Sequence, residues 1–355
     1  MSRTKTLWSL AGLLTAAVFI VVLFFAWVLR GVWTPAKTTD VAITCDGQAP
    51  ALARGQSIRA MVWNIQFSAG RSQEFFYDGG PAVSVSESEV RQTLDAITAA
   101  IAQYTPDLVL LQEVDRDSRR THHVDQLAEI LKRTPYPCHT ATPYFKAEFV
   151  PHPPHEPLGK VDMQLAVLSR FAMGEATRHQ LPLLKESWLR QQFNLKRALL
   201  QTTVPIEGGG SLAIFNSHLS AYAKGDGTLE AQIEEIDAHL AAASAAQTPW
   251  ILGADLNALP PGDDTERLGT AADLYAATSP LEGLFATHTP AVPRYAYTED
   301  PVPWRTWLPY GSTRADRTLD YVFTSPEVEL LSFTVLKHIH AVSDHHPLLL
   351  EFRLR

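Results

Sequence analysis

Two cysteines in 355 residues cannot staple a small disulfide scaffold, and no CxxC pair offers a metal knuckle or a redox centre. Charge is sparse as well. Only 19% of residues are charged against 46% apolar, the reverse of a disordered chain, and 19 glycines exclude collagen. There is no internal repeat and no low-complexity tract. The common signatures of nucleophilic, nucleotide and zinc chemistry are missing too: no G-x-S-x-G, no GxxxxGK[ST], no HExxH. Positive charge is in deficit. The formal net charge is −8, and because Arg3, Lys5 and Arg30 stand unopposed in the first thirty residues, the remainder carries −11. An acidic domain repels polyanions at long range, which disfavours nucleic acid as a partner unless the cleft is locally basic.

One long hydrophobic run is present. Leu7–Leu29 reads LWSLAGLLTAAVFIVVLFFAWVL without a charged side chain. At about 1.5 Å of rise per residue, roughly 20 apolar residues cross a bilayer. No small-x-small cleavage site follows, so residues 1–30 are expected to form an uncleaved signal anchor, with Trp8, Trp27 and Trp33 near the interfaces. Arg3, Lys5 and the amino terminus favour a single-pass, N-in orientation with the globular part outside the cytoplasm. There Cys45 and Cys138 either bridge or remain free thiols.

Residues 31–56 lack periodicity and are expected to be a linker, followed by one domain over 57–355. Ile58–Trp63, Leu108–Leu111, Leu165–Leu168, Ala198–Val204, Leu212–Asn216, Trp250–Leu252, Tyr321–Thr324, Val328–Leu336 and Leu348–Phe352 read as strands. Glu87–Tyr104, Val124–Leu131 and Leu229–Leu240 have helical spacing. Pro143–Gly159 and Thr287–Thr318 are Pro-rich and are expected to be long loops. About ten strands with helices between them predict a sheet-rich α/β layout, sheets packed on each other and helices outside.

Polar residues collect at the ends of these apolar strands: Asn64 and Gln66; Gln112, Glu113 and Asp115; Asn216, Ser217 and His218; Asp255 and Asn257; Asp320; and Ser343, Asp344, His345 and His346. Carboxylates and amides suit a hard cation such as Mg²⁺, and histidines suit proton transfer. Metal-assisted attack of water on a phosphoester is the reaction this inventory serves.

The segments MVWNIQF, LQEVD, FNSHLS, GADLN, LDYVF and SDHHPL occur in an order that resembles the endonuclease/exonuclease/phosphatase superfamily of metal-dependent phosphoesterases. The resemblance runs from about Ser57 to Arg355. It implies a four-layer α/β/β/α sandwich of two packed mixed β-sheets flanked by helices, here preceded by the transmembrane helix. It also implies roles. Glu113, Asn64 and Asp344 are metal-side ligands for Mg²⁺, with Mn²⁺ as the alternative. Asp255 and Asn257 orient water and phosphate. His345 is the catalytic histidine and Asp320 its carboxylate partner. His218 contacts phosphate. Gln66 stands where the family often has Asn or Asp, and His346 competes with its neighbour for the catalytic place, though Asp-His-x-Pro favours His345. Arg197 is left outside the site as a solvated strand-entry residue, and Arg116, Arg119 and Arg120 as a surface cluster. Trp304 and Trp307 are expected to pack the long insertion against the sandwich rather than touch a bilayer.

The expected function is a membrane-anchored, Mg²⁺-dependent phosphoesterase acting on a lipid head group or small phosphoester. An extracytoplasmic nuclease and an inactive tethered binding module are the alternatives. No protein partner is implied.

Overall fold

The computed structural model describes residues 3–221 and 225–355, with residues 3–7, 9 and 27–29 described by backbone alone. Among the described residues the strands are β1 (Thr38–Asp40), β2 (Ile43–Cys45), β3 (Ile58–Asn64), β4 (Leu108–Asp115), β5 (Cys138–Val150), β6 (Gly159–Ser169), β7 (Ala176–Gln180), β8 (Ala198–Pro205), β9 (Ser211–His218), β10 (Trp250–Asp255), β11 (Thr289–Pro290), β12 (Asp320–Thr324), β13 (Val328–Val335) and β14 (Leu348–Leu354). They form two mixed seven-stranded sheets, ordered β1-β7-β8-β9-β10-β12-β11 and β13-β14-β3-β4-β6-β5-β2.

Alternation along the strands builds the layers. In β9, Leu212 and Ile214 point into the core shared with the other sheet, while Ala213 and Phe215 point outward to a second core. Helix α5 (Thr228–Ala245) covers that outer face with Ile233, Ile236 and Leu240. On the opposite side α2 (Glu87–Tyr104) and α3 (Gln126–Arg133) cover β3 and β4 with Val90, Leu94, Ile97, Leu127 and Ile130. The result is the expected pair of packed sheets between helices. Helix α2 begins at a capping box, Ser86 with Glu89, and ends at Thr105 in the left-handed region, just before Pro106.

The sheets approach closely beside Gly253. A Cβ there would lie 2.5 Å from Val62 Cγ2 and 3.0 Å from Leu110 Cδ2. Any larger residue in the GADLN segment would push the sheets apart, and with them the side chains at the ends of β3, β4 and β10.

Several expectations need revision. The Pro-rich stretch 143–159 is mostly strand: β5 runs to Val150 and β6 starts at Gly159, because Thr140, Thr142, Tyr144 and Phe145 give a half-buried edge its pattern despite the prolines. The stretch 31–56 is tied to the domain by β1 against β7 and β2 against β5, and Cys45 and Cys138, directly opposite in that pairing, form a disulfide. Trp304 packs against both cores and against Phe333 as expected, while Trp307 lies 4.3 Å from the Arg317 guanidinium, bridges His345 and lines the cleft that His345 faces.

Helix α1 covers Arg3–Arg30, and its described apolar side chains are exposed, Leu13 and Leu14 among them. Among the described residues no helix is long and apolar enough to cross a membrane. Part of the span expected over Leu7–Leu29, Trp27 included, lies outside the residues with described side chains. The chain returns to the domain where Val32 bridges Ala147.

Candidate active site

Two parallel strand pairs, one in each sheet, end at the same rim. In one sheet β3 runs beside β4, placing Asn64 opposite Gln112. In the other, β9 runs beside β10, placing His218 opposite Asp255, and antiparallel β12 starts at Asp320 opposite Asp255. Parallel neighbours bring their carboxyl ends to one edge, so residues far apart in sequence meet there.

Glu113 reaches the rim by a different device. The register of β4 against β6 slips between Leu111 and Val114, and Glu113 takes φ 57°. This bulge takes Glu113 out of the alternation and turns it into the cleft. A left-handed backbone costs an ordinary residue roughly 1–2 kcal/mol, so the surrounding structure must hold it there.

The side chains form one connected set. Asn64 Nδ2 donates to Glu113 Oε1 at 3.2 Å and to Asp255 Oδ2 at 2.9 Å. The Asn257 amide donates to Asp255 Oδ1 at 3.0 Å, while Asn257 Nδ2 donates to the Leu219 carbonyl. His345 Nδ1 and Asp320 Oδ2 are 2.7 Å apart, and His345 Nε2 lies 3.6 Å from Asp255 Oδ2. His218 Nε2 lies 3.4 Å from Asp255 Oδ2 and its Nδ1 3.7 Å from Glu113 Oε1. Ser343 Oγ donates to the Asn64 carbonyl and accepts from the His345 amide, and Trp63 Nε1 donates to the His345 carbonyl, fixing the segment. Asp344 faces the same cleft, its amide donating to Gln66 Oε1. Gln66 is therefore a positioning group for the Asp344 backbone. His346 faces elsewhere: its amide bonds to Thr306, its Nδ1 is buried without a partner, and burial depresses its pKa to about 4.

Electrostatics separate the two site histidines. Burial alone would lower the His345 pKa, but Asp320, Asp255 and Asp344 outweigh it and hold the pKa well above the ordinary value, so the ring is an imidazolium at neutral pH. Burial, helped by Arg197 and His345, holds His218 well below its ordinary value and therefore neutral. Burial pushes Glu113 up to about 7, with Asp344 adding repulsion, and pushes Asp255 up to about 6.

Four carboxyl groups around one cleft, two of them carrying raised pKa values, are the mark of a hard, oxygen-rich set that a divalent cation would neutralise. The residues present therefore fit such an ion. Asp255, Asp320 and His345 also form a compact group of ligand atoms. The hydrogen-bond spacing of His345 and Asp320, however, suits a shared proton better than two bonds to one ion. Glu113 and Asp344 remain the better metal side. Asn64 does not fit the ligand role that the resemblance implies: its Oδ1 accepts from the Gln66 amide at 3.0 Å while its Nδ2 faces Glu113 and Asp255, and an amide NH₂ has only donors to offer.

Two groups escaped the sequence reading. Arg197 is 7% exposed, lines the cleft, and leaves Nε and Nη1 buried without a partner. A buried guanidinium with free donors beside Glu113 and Asp255 has the chemistry to hold an anion. Antiparallel pairing was the missing signal: Leu199 lies opposite Ser217, so the residue entering β8 sits beside the residue leaving β9. Tyr144 is the other, its hydroxyl 3.1 Å from His218 Nδ1, hidden in a stretch that reads as loop. Arg197→Met is expected to lower kcat/KM on a phosphoester by about 10- to 100-fold with a smaller change from Arg197→Lys; steady-state kinetics on both variants measures it. Arg120, by contrast, is committed to Asp115 at 2.8 and 2.9 Å, and Arg116 to Asp125.

The sequence matches the Endonuclease/Exonuclease/phosphatase family over residues 61–345. No curated protein matched it. Among solved structures, an endonuclease/exonuclease/phosphatase from Beutenbergia cavernae is 24% identical with a TM-score of 0.60, covering 84% of this chain and 72% of its own. The human Nocturnin catalytic domain, solved with a bound sulfate anion, is 19% identical with a TM-score of 0.55, covering 89% and 97%. TDP2 from Caenorhabditis elegans is 16% identical with a TM-score of 0.51, covering 84% and 75%. At these identities the structures share a fold.

Proposed function

From the premise that this chain belongs to the endonuclease/exonuclease/phosphatase family, whose members are metal-dependent hydrolases of phosphoester bonds, we propose that it hydrolyses a lipid head group or small phosphoester with Mg²⁺ by in-line attack of water. The observation that carries this reading is the His345–Asp320 pair set beside Asp255 in a cleft that also holds Glu113.

Glu113 and Asp344 would hold a divalent ion, which would polarise a phosphoryl oxygen and stabilise charge on the leaving group, while Asn64 orients Glu113 and Asp255 through its Nδ2. Asp255 has both oxygens oriented, by Asn64 and by the Asn257 amide, and is the group placed to orient water and accept its proton. His345 spends Nδ1–H on Asp320, leaving Nε2–H for an oxygen that gains charge. Neutral His218, its Nδ1 accepting from Tyr144, turns Nε2–H to the same centre. Arg197 completes the anion site.

Net charge favours a small or lipid substrate over nucleic acid, and the retention of Asn64, Glu113, Asp255, Asn257, Asp320 and His345 favours an enzyme over an inert binding module. The uncharged run Leu7–Leu29 supports a single-pass anchor, and Arg3 and Lys5 before it favour an amino terminus inside. Release of the full chain from membranes by alkaline carbonate would overturn that part.

The test is hydrolysis of bis-p-nitrophenyl phosphate, sphingomyelin, phosphoinositides and plasmid DNA, with and without Mg²⁺, beside Asp255→Ala. Turnover that survives EDTA, or that Asp255→Ala retains, sinks the mechanism; preference for DNA sinks the substrate reading.

Affinity for Mg²⁺ should depend on pH. Without metal Glu113 holds its proton up to about 7, and an ion must displace it. The apparent affinity is expected to rise about tenfold per pH unit below 7 and to level off above it, as measured by calorimetric titration between pH 5.5 and 8.5.

A further inference from the structure

The cleft that holds the acids and His345 encloses about 700 Å³, far more than a phosphoryl group fills. Away from the acids its lining gains apolar surface. Phe145 and Val150 from β5, Leu158 from the turn after it, and Leu184, Phe193 and Leu195 from the segment entering β8 line this space, with Glu186, Arg190 and Asn194 of that segment among them. The first three are buried, and the three apolar residues of that segment are half-buried, so they keep apolar surface directed into an otherwise open groove. The wall does not stop at the mouth. Helix α4 (Trp188–Gln192) lies in the same segment and carries Trp188 66% exposed and Leu189 44% exposed. The first helix and the chain leaving it also join β5: Phe24 packs edge-on against Phe149, next to Val150, and Val32 bridges Ala147.

We propose that this wall is a subsite for the apolar part of the substrate, so that the enzyme selects an amphiphilic phosphoester whose alkyl portion runs from the reacting phosphoryl group along Phe145, Leu184, Phe193 and Leu195 toward Trp188. The inference deepens the phosphoesterase reading and rests on it. Its physical warrant is the juxtaposition. Arg197 supplies unpartnered N–H donors for an anion, and within the same cleft a continuous aliphatic and aromatic surface runs beside the polar Glu186, Arg190 and Asn194. An alkyl chain demands no hydrogen-bond partner and loses hydration along that surface.

The experiment uses the full chain with Mg²⁺ and a series of alkyl p-nitrophenyl phosphodiesters from methyl to octyl, below their aggregation concentrations, with thymidine 5′-p-nitrophenyl phosphate as the polar member. The expected result is a rise in kcat/KM of about threefold per methylene over the first several carbons, a thymidine ester slower than the hexyl ester, and a flatter series in Phe193→Ala and in Leu195→Ala. A flat series in the unaltered chain, a slope untouched by both substitutions, or a thymidine ester that outruns the hexyl ester would overturn the subsite while leaving the phosphoesterase intact. Failure to turn over any member, the methyl ester included, would overturn both readings.

Discussion

His345→Gln is expected to lower kcat on bis-p-nitrophenyl phosphate by about 10²- to 10⁴-fold while shifting Tm by no more than a few degrees. Glutamine keeps comparable length and a donor for Asp320, so the buried carboxyl is not stranded, but it cannot carry the positive charge that Asp320, Asp255 and Asp344 impose on the imidazole. Alanine is the poorer test. It would leave Asp320 buried with neither oxygen paired, since Oδ1 already lacks a partner, and loss of one member of a buried pair commonly costs about 3–5 kcal/mol. Asp320→Asn should mimic the kinetic loss from the other side, because an amide orients the ring without favouring its charged form. Steady-state kinetics with thermal melts on the three variants separates chemistry from folding. Near-normal kcat in His345→Gln would remove the histidine from the mechanism.

The second large effect concerns Glu113. With its pKa raised to about 7 by burial and by Asp344, its folded value lies above its unfolded one. The folded state then holds the proton more tightly, and stability of the metal-free protein falls as pH rises from about 4.5 through 7. The shift corresponds to a loss of about 3 kcal/mol once ionisation is complete. A cation reverses that loss, and at a hundredfold excess over its Kd it adds about 2.7 kcal/mol. Glu113→Gln is expected to do three things together: abolish turnover, erase the rise in Tm on adding Mg²⁺, and make the metal-free protein more stable than the parent at pH 8 but not at pH 4.5. Calorimetric melts at both pH values, with and without Mg²⁺, check all three. A variant that still gains stability from Mg²⁺ would place the metal elsewhere, and the Asp255, Asp320 and His345 group would then be the first alternative.

Much of the site is legible because it lies at strand ends. Asn64, Asp255 and Asp320 sit at the junction of an apolar run and a polar residue, and in the structure they end or begin β3, β10 and β12. The α2 boundaries Glu87 and Tyr104 are legible for a similar reason: the capping box and the following proline are local signals. Signals that depend on pairing are not local. The bulge at Glu113, the placement of Arg197 beside His218, and the strand character of Pro143–Val150 all arise from a neighbour distant in sequence. The choice between His345 and His346 is of the same kind. The Asp-His-x-Pro pattern favours His345, but adjacent residues on an irregular segment point different ways, and it is the position of Asp320 that shows which ring faces the cleft.

The order of apolar runs and polar ends was thus enough to determine the layered α/β architecture, and the motifs at those ends the phosphoester-hydrolase family, since hydrophobic periodicity and residue type act over a few positions at a time. The packing of one sheet on the other decided the rest: a bare Cα at Gly253 that lets the sheets touch, an imidazolium charged by three acids, a guanidinium left without a partner, and an apolar wall beside them. Burial and charge coupling act through space, and no stretch of chain carries them alone.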